Sequence, residues 1–524
     1  MYDVIVIGSG FGGAITGCRL AEKGLKVLIL ERGQWWDKNT YPRKPGDAWI
    51  WDNSNPEKMH GWLDMRRFPH MAVAQGAGVG GGSLIYANIS CNAPQNAFDQ
   101  GWPAAITYNA LLPYYDRVAK FMNVQKVPLN QWNPRMKLMQ EGATKAGFGS
   151  RFDQLELAVT FDPNLNYNFN DAPKESNSKE ITNAQGVKQG TCAHLGQCDI
   201  GCPVYAKNTL DKNYIPWAMK KGAEVRELSL VGNIEPIVNG YKIHYSDLKA
   251  HSMDRTETAT RVIVASGSLG STELLLRCKN VTKTLPNISG TLGQGWSSNG
   301  DFLTPAFYFG RTINPDRGPT ISTSINFLDG IQNGQKFWIE DGGIPNLFSG
   351  YYKDISARLA QDPGQQSLFE GLQAANIIQH LINLSTSLDL FKNIMPWFAQ
   401  GVDASDAQLL LDQKGKLDMK WDITKSLPMF NEIASMHKKL SDATSGHPIP
   451  NPAWDHARDL ITPHPLGGCR MADSAADGVV NDRGEVFGYK NLFVADGAII
   501  PHALGVNPSR TIGALAERIA ELMQ

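Results

Sequence analysis

The chain's first thirty residues set the strongest constraint on its fold. Tyr2-Asp3-Val4-Ile5-Val6-Ile7 is a short apolar run rich in β-branched residues, and it reads as a buried parallel strand. It leads directly into Gly8-Ser9-Gly10-Phe11-Gly12-Gly13, a G-x-G-x-x-G that opens a helical pattern ending at Gly24. Lys26-Val27-Leu28-Ile29-Leu30-Glu31 is a second strand that ends in an acid. Strand, loop, helix, strand and acid in this order form a dinucleotide-binding unit. Gly8 allows the tight turn, Gly10 lets the backbone approach a pyrophosphate, and Gly13 lets helix and strand pack closely. The free N–H groups at the helix start favour phosphate. Glu31 is placed to accept from ribose hydroxyls, and as an acid it argues against a ribose 2′-phosphate. At this level FAD and NAD are both open.

At 524 residues the chain is long enough for two domains or one large composite. A net charge of −1 leaves no global footprint for nucleic acid or an anionic membrane. Met1 stands directly before the first strand with no charged-then-apolar leader, so a cytoplasmic location is expected. Seven cysteines do not make a disulfide framework at this length. Cys192, Cys198 and Cys202 are clustered as C-x5-C-x3-C. That spacing is too loose for a zinc or iron–sulfur site and lacks a fourth ligand, so no metal is expected.

Residues 34 to 75 are rich in Trp, Pro and charge without a clear period and read as an irregular excursion. Gly76 to Asn88 follows, with five glycines in its first seven residues. Such a run is neither a stable helix nor an ordinary strand, and it suits backbone lying flat against a ligand. Residues 109 to 148 and Thr209 to Lys221 read as helices, and 161 to 190 as loop. Arg261-Val262-Ile263-Val264-Ala265-Ser266 is another buried strand, and it feeds a glycine turn and a helix as a second strand–glycine–helix unit. Asn491 to Gly497 is a strand ending in Asp496. Asn507-Pro508-Ser509-Arg510 then starts the last helix, with Asn507 as its expected cap and Pro508 at the first helical position.

From Leu368 to Phe398 apolar residues recur at helical spacing, among them Leu368, Leu372, Ala375, Leu381, Leu388, Phe391 and Met395. Polar interruptions rule out a transmembrane span there. The stretch also lacks the basic face of an interfacial helix, so membrane-surface contact has no support.

Taken together, several of these segments resemble the glucose–methanol–choline (GMC) oxidoreductases, and within them the cholesterol oxidases that hold FAD noncovalently. They are Gly78-Val79-Gly80-Gly81-Gly82-Ser83-Leu84, Leu210-Asp211-Lys212, Gly295-Trp296 with Asn299-Gly300, His464-Pro465-Leu466-Gly467-Gly468-Cys469, Tyr489-Lys490-Asn491-Leu492 and Gly505-Val506-Asn507-Pro508. The 192–204 stretch and residues near 350–395 depart from that pattern.

The resemblance implies an α/β fold: a Rossmann-like FAD domain assembled from discontinuous segments, 1–40, 205–300 and 475–524. Residues 41–204 and 301–474 would form an α+β substrate domain with a mixed or antiparallel sheet. FAD would be held by Gly8, Gly10, Gly13, Glu31, Gly78, Gly80, Gly81, Gly82, Ser83, Asn88, Ile234, Asp496 and Asn507. Ile234 would meet the adenine through its backbone, and Asp496 the ribityl or pyrophosphate region. The expected partners are a small-molecule alcohol and O2 or another electron acceptor.

The resemblance also implies the chemistry. An alcohol loses its hydroxyl proton and its carbinol hydride, and the hydride goes to flavin N5. His464 is the first candidate to handle the proton. Asn507 would face flavin and substrate. Glu340, beside aromatic residues, would have a raised pKa and act as a base. The leading expectation is oxidation of a bulky, mostly apolar alcohol, sterol-like among the options. The competing readings are a dehydrogenase of the same fold with an acceptor other than O2, a non-redox lyase, a photoactive decarboxylase, and a flavin-binding module without catalysis.

Overall fold

In the computed structural model, which describes residues 1–44, 46–250, 252–346, 391–449, 451 and 453–523, Tyr2–Ile7 forms the middle of a seven-stranded sheet. It runs parallel to Val27–Leu30 on one side and to the end of Ser252–Val264 on the other. Glu224–Arg226 extends the sheet beyond Val27–Leu30, and Leu492–Val494 pairs parallel with Val262 to Val264. The start, middle and end of the chain thus share one sheet. Val4, Ile5, Val6, Val262, Ile263 and Val264 are fully buried, as strands covered on both faces require.

The strand expected at Arg261 is the last third of a longer one, Ser252–Val264. Its first part pairs antiparallel with Gly240–Asp247, which pairs in turn with Ser229–Ile237. The helix Phe11–Glu22 packs against the last helix, Ser509–Leu522, and against Tyr214–Lys220.

A second, antiparallel sheet runs in the order His447–Pro448, Phe302–Phe307, Ile394–Gly401, Phe337–Asp341, Thr323–Asn326, Phe152–Gln154. One face carries Phe337, Ile339, Met395, Trp397 and Ala399. It packs on the helices Pro134–Lys145 and Leu427–Ala443 in a core of its own. The period of two sends Trp338, Glu340, Phe398 and Gln400 to the other face. The fold is α/β with a dinucleotide sheet and a separate antiparallel sheet, as expected.

Four local expectations are corrected. Residues 34 to 75 are not wholly irregular: Ile50–Trp51, Leu63–Phe68 and Met71–Gly76 form a small sheet with Leu460–Thr462, a distant segment that no local pattern reveals. Residues 161 to 190 contain a short hairpin, Glu180–Thr182 with Lys188–Gly190. Met395 and Phe398 lie on a strand rather than a helix, because both faces of that strand are covered and its apolar run has no alternation to mark it. Leu368, Leu372, Ala375, Leu381 and Leu388 lie outside the described residues. The last helix begins at Ser509 with Pro508 as its cap, so Asn507 precedes the cap and its side chain is released from that duty. Among the described residues no helix is long and apolar enough to cross a membrane, and no group of three or more His, Cys, Asp or Glu could hold a metal ion.

The loop glycines act by close approach. A Cβ on Gly12 would lie 1.5 Å from the Ala495 carbonyl oxygen, and one on Gly13 would lie 2.0 Å from that of Gly8. Backbone cannot yield that far without shifting the sheet. Gly12→Ala is therefore expected to cost more than about 3 kcal/mol in urea unfolding. Gly24→Ala faces open space at φ +81° and should cost only about 1–2 kcal/mol. Equal losses in the two variants would contradict the packing argument.

Candidate active site

Between the two sheets lies a cavity of about 770 Å³. Its dinucleotide side is built by Ile7 to Gly12, Glu31, Ser266 to Ser268, and Asp496 with Gly497. The helix Phe11–Glu22 starts there with no side-chain cap and no acid in its first turn. Uncapped N–H groups facing a cavity form an anion site. Glu31 is buried at the end of its strand. Its Oε2 accepts from the Ser9 N–H at 2.9 Å and the Ser9 hydroxyl at 2.7 Å, and its Oε1 accepts from the Gly33 N–H at 2.9 Å. Each oxygen can accept more than one bond, so Oε1 keeps capacity for a ribose hydroxyl. Asp496 Oδ2 accepts from the Gly267 N–H at 2.8 Å and the Ser271 hydroxyl at 2.5 Å, which ties the second glycine turn to the last strand.

The glycine run folds as a 3-10 turn, Gly81–Leu84. Gly81 and Gly82 line the cavity, and a Cβ on Gly82 would meet open space. Gly78, Gly80, Ser83 and Asn88 stand behind it. Gly78 packs against Trp36, and the Gly80 N–H donates to Ser9 Oγ at 3.0 Å. Ser83 Oγ accepts from the Leu210 N–H at 3.0 Å, and Asn88 is buried. These residues shape the loop rather than face the cavity. Ile234 also stands apart, its N–H directed at Cys278 Sγ 3.4 Å away; Ser229 to Gly232 reach the cavity instead. An uncapped helix start, a buried acid one strand away and a bare glycine turn are the donor set that a dinucleotide such as FAD fits.

The far end of the cavity carries the reactive side chains. Leu460–Thr462 is held beside Met71–Val73, and His464 follows after Pro463. Thr462 Oγ1 accepts from the His464 N–H at 2.9 Å and donates to the Ser298 carbonyl at 2.8 Å. His464 Nδ1 lies 2.9 and 3.0 Å from the two oxygens of Asp301, which is fully buried. A carboxylate on Nδ1 fixes the tautomer with the proton on Nδ1 and leaves Nε2 as the acceptor. Nε2 points at the Asn507 amide, 3.5 Å away, and Asn507 Oδ1 has no partner. The loop that leads to Asn507 is held by Asn299, whose Oδ1 accepts from the Leu504 and Gly505 N–H groups at 2.9 Å and whose amide donates to the Val506 carbonyl at 2.8 Å.

Glu340 is fully buried on Phe337–Asp341 and does not line the cavity. Gln400 Nε2 donates to Glu340 Oε2 at 3.4 Å and lies 3.5 Å from His464 Nδ1, and the Trp338 indole N–H fixes the Gln400 carbonyl at 2.8 Å. Glu340 Oε1 has no partner. Burial, then Asp301 and Asp341, push the Glu340 carboxyl well above the usual carboxylate range. Burial also raises Asp301, against the pull of His464.

Of the expected residues, His464 and Asn507 meet at one point and Glu340 stands one layer behind. Asp301 and Gln400 were missed. Asp301 directly follows the Asn299-Gly300 pair already noted. Gln400 lies just past the stretch read as helix, on a strand whose period aims it at Glu340.

Family models described as GMC oxidoreductase match residues 2–155 and 408–516. A cholesterol oxidase of Acinetobacter baumannii is 30% identical, over 99% of this chain and 93% of that protein. The chain belongs to the GMC oxidoreductase family. It is thus an FAD-dependent oxidoreductase acting on CH–OH groups. A cholesterol oxidase of Mycobacterium tuberculosis is 27% identical over 99% of this GMC protein and 91% of its own length. A long-chain-alcohol oxidase of Arabidopsis thaliana is 22% identical over 100% and 67%. Among solved structures, pyridoxine 4-oxidase from Mesorbium loti superposes with a TM-score of 0.65 at 14% identity, covering 100% of this chain and 99% of that one, which speaks for the fold.

Glu340 gives a stability prediction. An acid whose folded pKa exceeds its unfolded value, about 4.3, takes up a proton on folding. Its contribution is present in full below the unfolded pKa and is lost as pH rises toward the folded pKa. Glu340→Gln should match the parent near pH 4. Above that it should gain on the parent by up to about 1.4 kcal/mol per pH unit until the folded pKa is reached. Urea unfolding across pH reads this directly, and a difference independent of pH would show that no buried acid titrates there.

Proposed function

We propose that this protein oxidises the CH–OH group of a bulky, mostly apolar alcohol, sterol-like among the candidates, with His464 taking the hydroxyl proton. FAD, when bound, supplies the acceptor for the carbinol hydride at N5. One observation carries the reading: buried Asp301 holds His464 Nδ1, so Nε2 is a fixed proton acceptor facing Asn507 inside the cavity. A hydroxyl placed between them donates to Nε2 and accepts from the Asn507 amide. Asp301 then stabilises the imidazolium that forms. The start of the last helix, just after Asn507, favours negative charge at this end of the cavity.

Glu340 stands behind His464, out of the cavity lining, and burial together with Asp301 and Asp341 pushes its carboxyl well above the usual carboxylate range. The apolar wall of Leu303, Ile321, Ile344, Pro396 and Phe398 supports a bulky apolar substrate, as do relatives named for cholesterol and long-chain alcohols.

FAD is held noncovalently in this reading. His60 and His70 are turned to the Pro56 and Ala457 carbonyls, and neither lines the cavity. The purified protein should be yellow, and acid precipitation should release the flavin into the supernatant. Flavin remaining with the pellet would refute noncovalent binding.

His464→Ala and Asn507→Ala should retain FAD yet slow anaerobic flavin bleaching by an alcohol on the order of 10²-fold or more. Stopped-flow absorbance over a panel of sterols and long-chain alcohols tests this. Repeating the reaction with O2 and with an artificial acceptor identifies the oxidant. Parent-like rates in both variants would remove the pair from the mechanism.

A further inference from the structure

The Thr462 hydroxyl touches more than the His464 backbone. Its oxygen accepts from the His464 N–H at 2.9 Å, and it lies 2.8 Å from the Ser298 carbonyl and 2.5 Å from Asp301 Oδ2. A hydroxyl has one proton to give, so two acceptors compete for it. One of them is the carboxyl that touches His464 Nδ1. Thr462 is fully buried and its backbone is paired with that of Val73. A β-branched side chain has few rotamers, so the oxygen is fixed and only its proton turns.

Asp301 has few other donors. Among the described residues its side-chain hydrogen bonds run to the Thr462 hydroxyl and to His464 Nδ1. The charged groups that face it are His464 and two acids, Glu340 and Asp403, which oppose a negative charge on it. Asp403 takes its own donors from Ser297, Ser298 and Ser405. Burial raises the Asp301 carboxyl, and the contacts with His464 and Thr462 pull the other way. A neutral Asp301 would carry an O–H of its own and donate it to Nδ1. The imidazole proton would then sit on Nε2, and the nitrogen that faces Asn507 would no longer accept a proton.

We propose that Thr462 is a positioning residue that keeps Asp301 ionised, its hydroxyl turning to Asp301 when the carboxyl is charged and to the Ser298 carbonyl when it is not. This rests on the reading of His464 as the proton acceptor. An ionised acceptor forms the stronger bond, so the hydroxyl follows the charge. Thr462 thereby fixes the tautomer of His464 through Asp301, without touching the substrate. The same bond is in place when His464 takes the alcohol proton, so the imidazolium meets its counter-charge already formed.

The test follows anaerobic flavin bleaching by sterols and long-chain alcohols across pH, in the FAD-loaded protein. Asp301 and His464 titrate as a pair, and the rate falls at low pH as the pair takes up a proton. Thr462→Val keeps the shape and removes the donor. A less stabilised carboxylate takes its proton at higher pH. The acid limb of the rate profile should therefore move up by about one to two pH units, the scale of one hydrogen bond to a charged group. A merely structural role, including the lost acceptor for the His464 N–H, would lower the rate equally at every pH. Thr462→Ser keeps the hydroxyl and should return the limb to its parent position. If Thr462→Val does not retain FAD absorbance, Thr462→Cys, with its weak S–H donor, decides by the same upward shift. A limb that stays in place, or one that moves as far in Thr462→Ser, overturns the role of Thr462 and leaves the alcohol reading intact. No bleaching of the parent by any alcohol overturns both.

Discussion

The structure depends on backbone meeting backbone at the first loop. Gly8 approaches the Ala265 carbonyl, Gly12 the Ala495 carbonyl, and Gly81 the Cα of Gly10, all at distances that admit no side chain. Four segments separated by up to several hundred residues are locked together at one point. That point is also the anion end of the cavity. The close packing that makes the sheet therefore also leaves the helix start bare for phosphate. A side chain there would both open the core and close the site.

The second sheet sets the other half of the chemistry through its period of two. Ile339 and Trp397 face their own core, so Glu340 and Gln400 must face inward, toward His464. Burial raises both acids, but only Asp301 has an imidazole beside it to offset the cost, whereas Glu340 has only other carboxylates for charged neighbours. Two buried acids close to one histidine thus differ in their surroundings: Asp301 contacts Nδ1 directly, and Glu340 stands a layer behind. Asp341, next in sequence to Glu340, differs again, because Arg135 and the Ser322 and Thr323 N–H groups surround it.

What was legible in the sequence follows from which interactions are local. The opening strand, loop and helix were readable because their glycines and apolar run serve contacts within thirty residues. His464 and Asn507 were readable through short motifs. Asp301 was not, because nothing local marks an Asp after Asn-Gly as the partner of a histidine 163 residues away. The sheet at 50–76 was hidden because Leu460–Thr462 completes it. Asn507 looked like a cap because Asn before Pro-Ser usually is one; the cap shifts by one residue, and the amide is freed to meet His464. Ile234 stands past the register shift at Val231–Asn233, and Ser229 to Gly232 line the cavity instead.

The histidine's environment also explains why one family fold can serve many alcohols. The proton acceptor is fixed by contacts outside the substrate's reach: Asp301 and Thr462 behind it, and Asn299 clamping the loop of Asn507. None of these belongs to the apolar wall that touches the rest of the substrate. Residues 192–204 and 320–344 can therefore change that wall without moving Nε2. One departure from the cholesterol oxidase pattern, the 192–204 stretch, contributes Asp199 and Ile200 to the cavity wall.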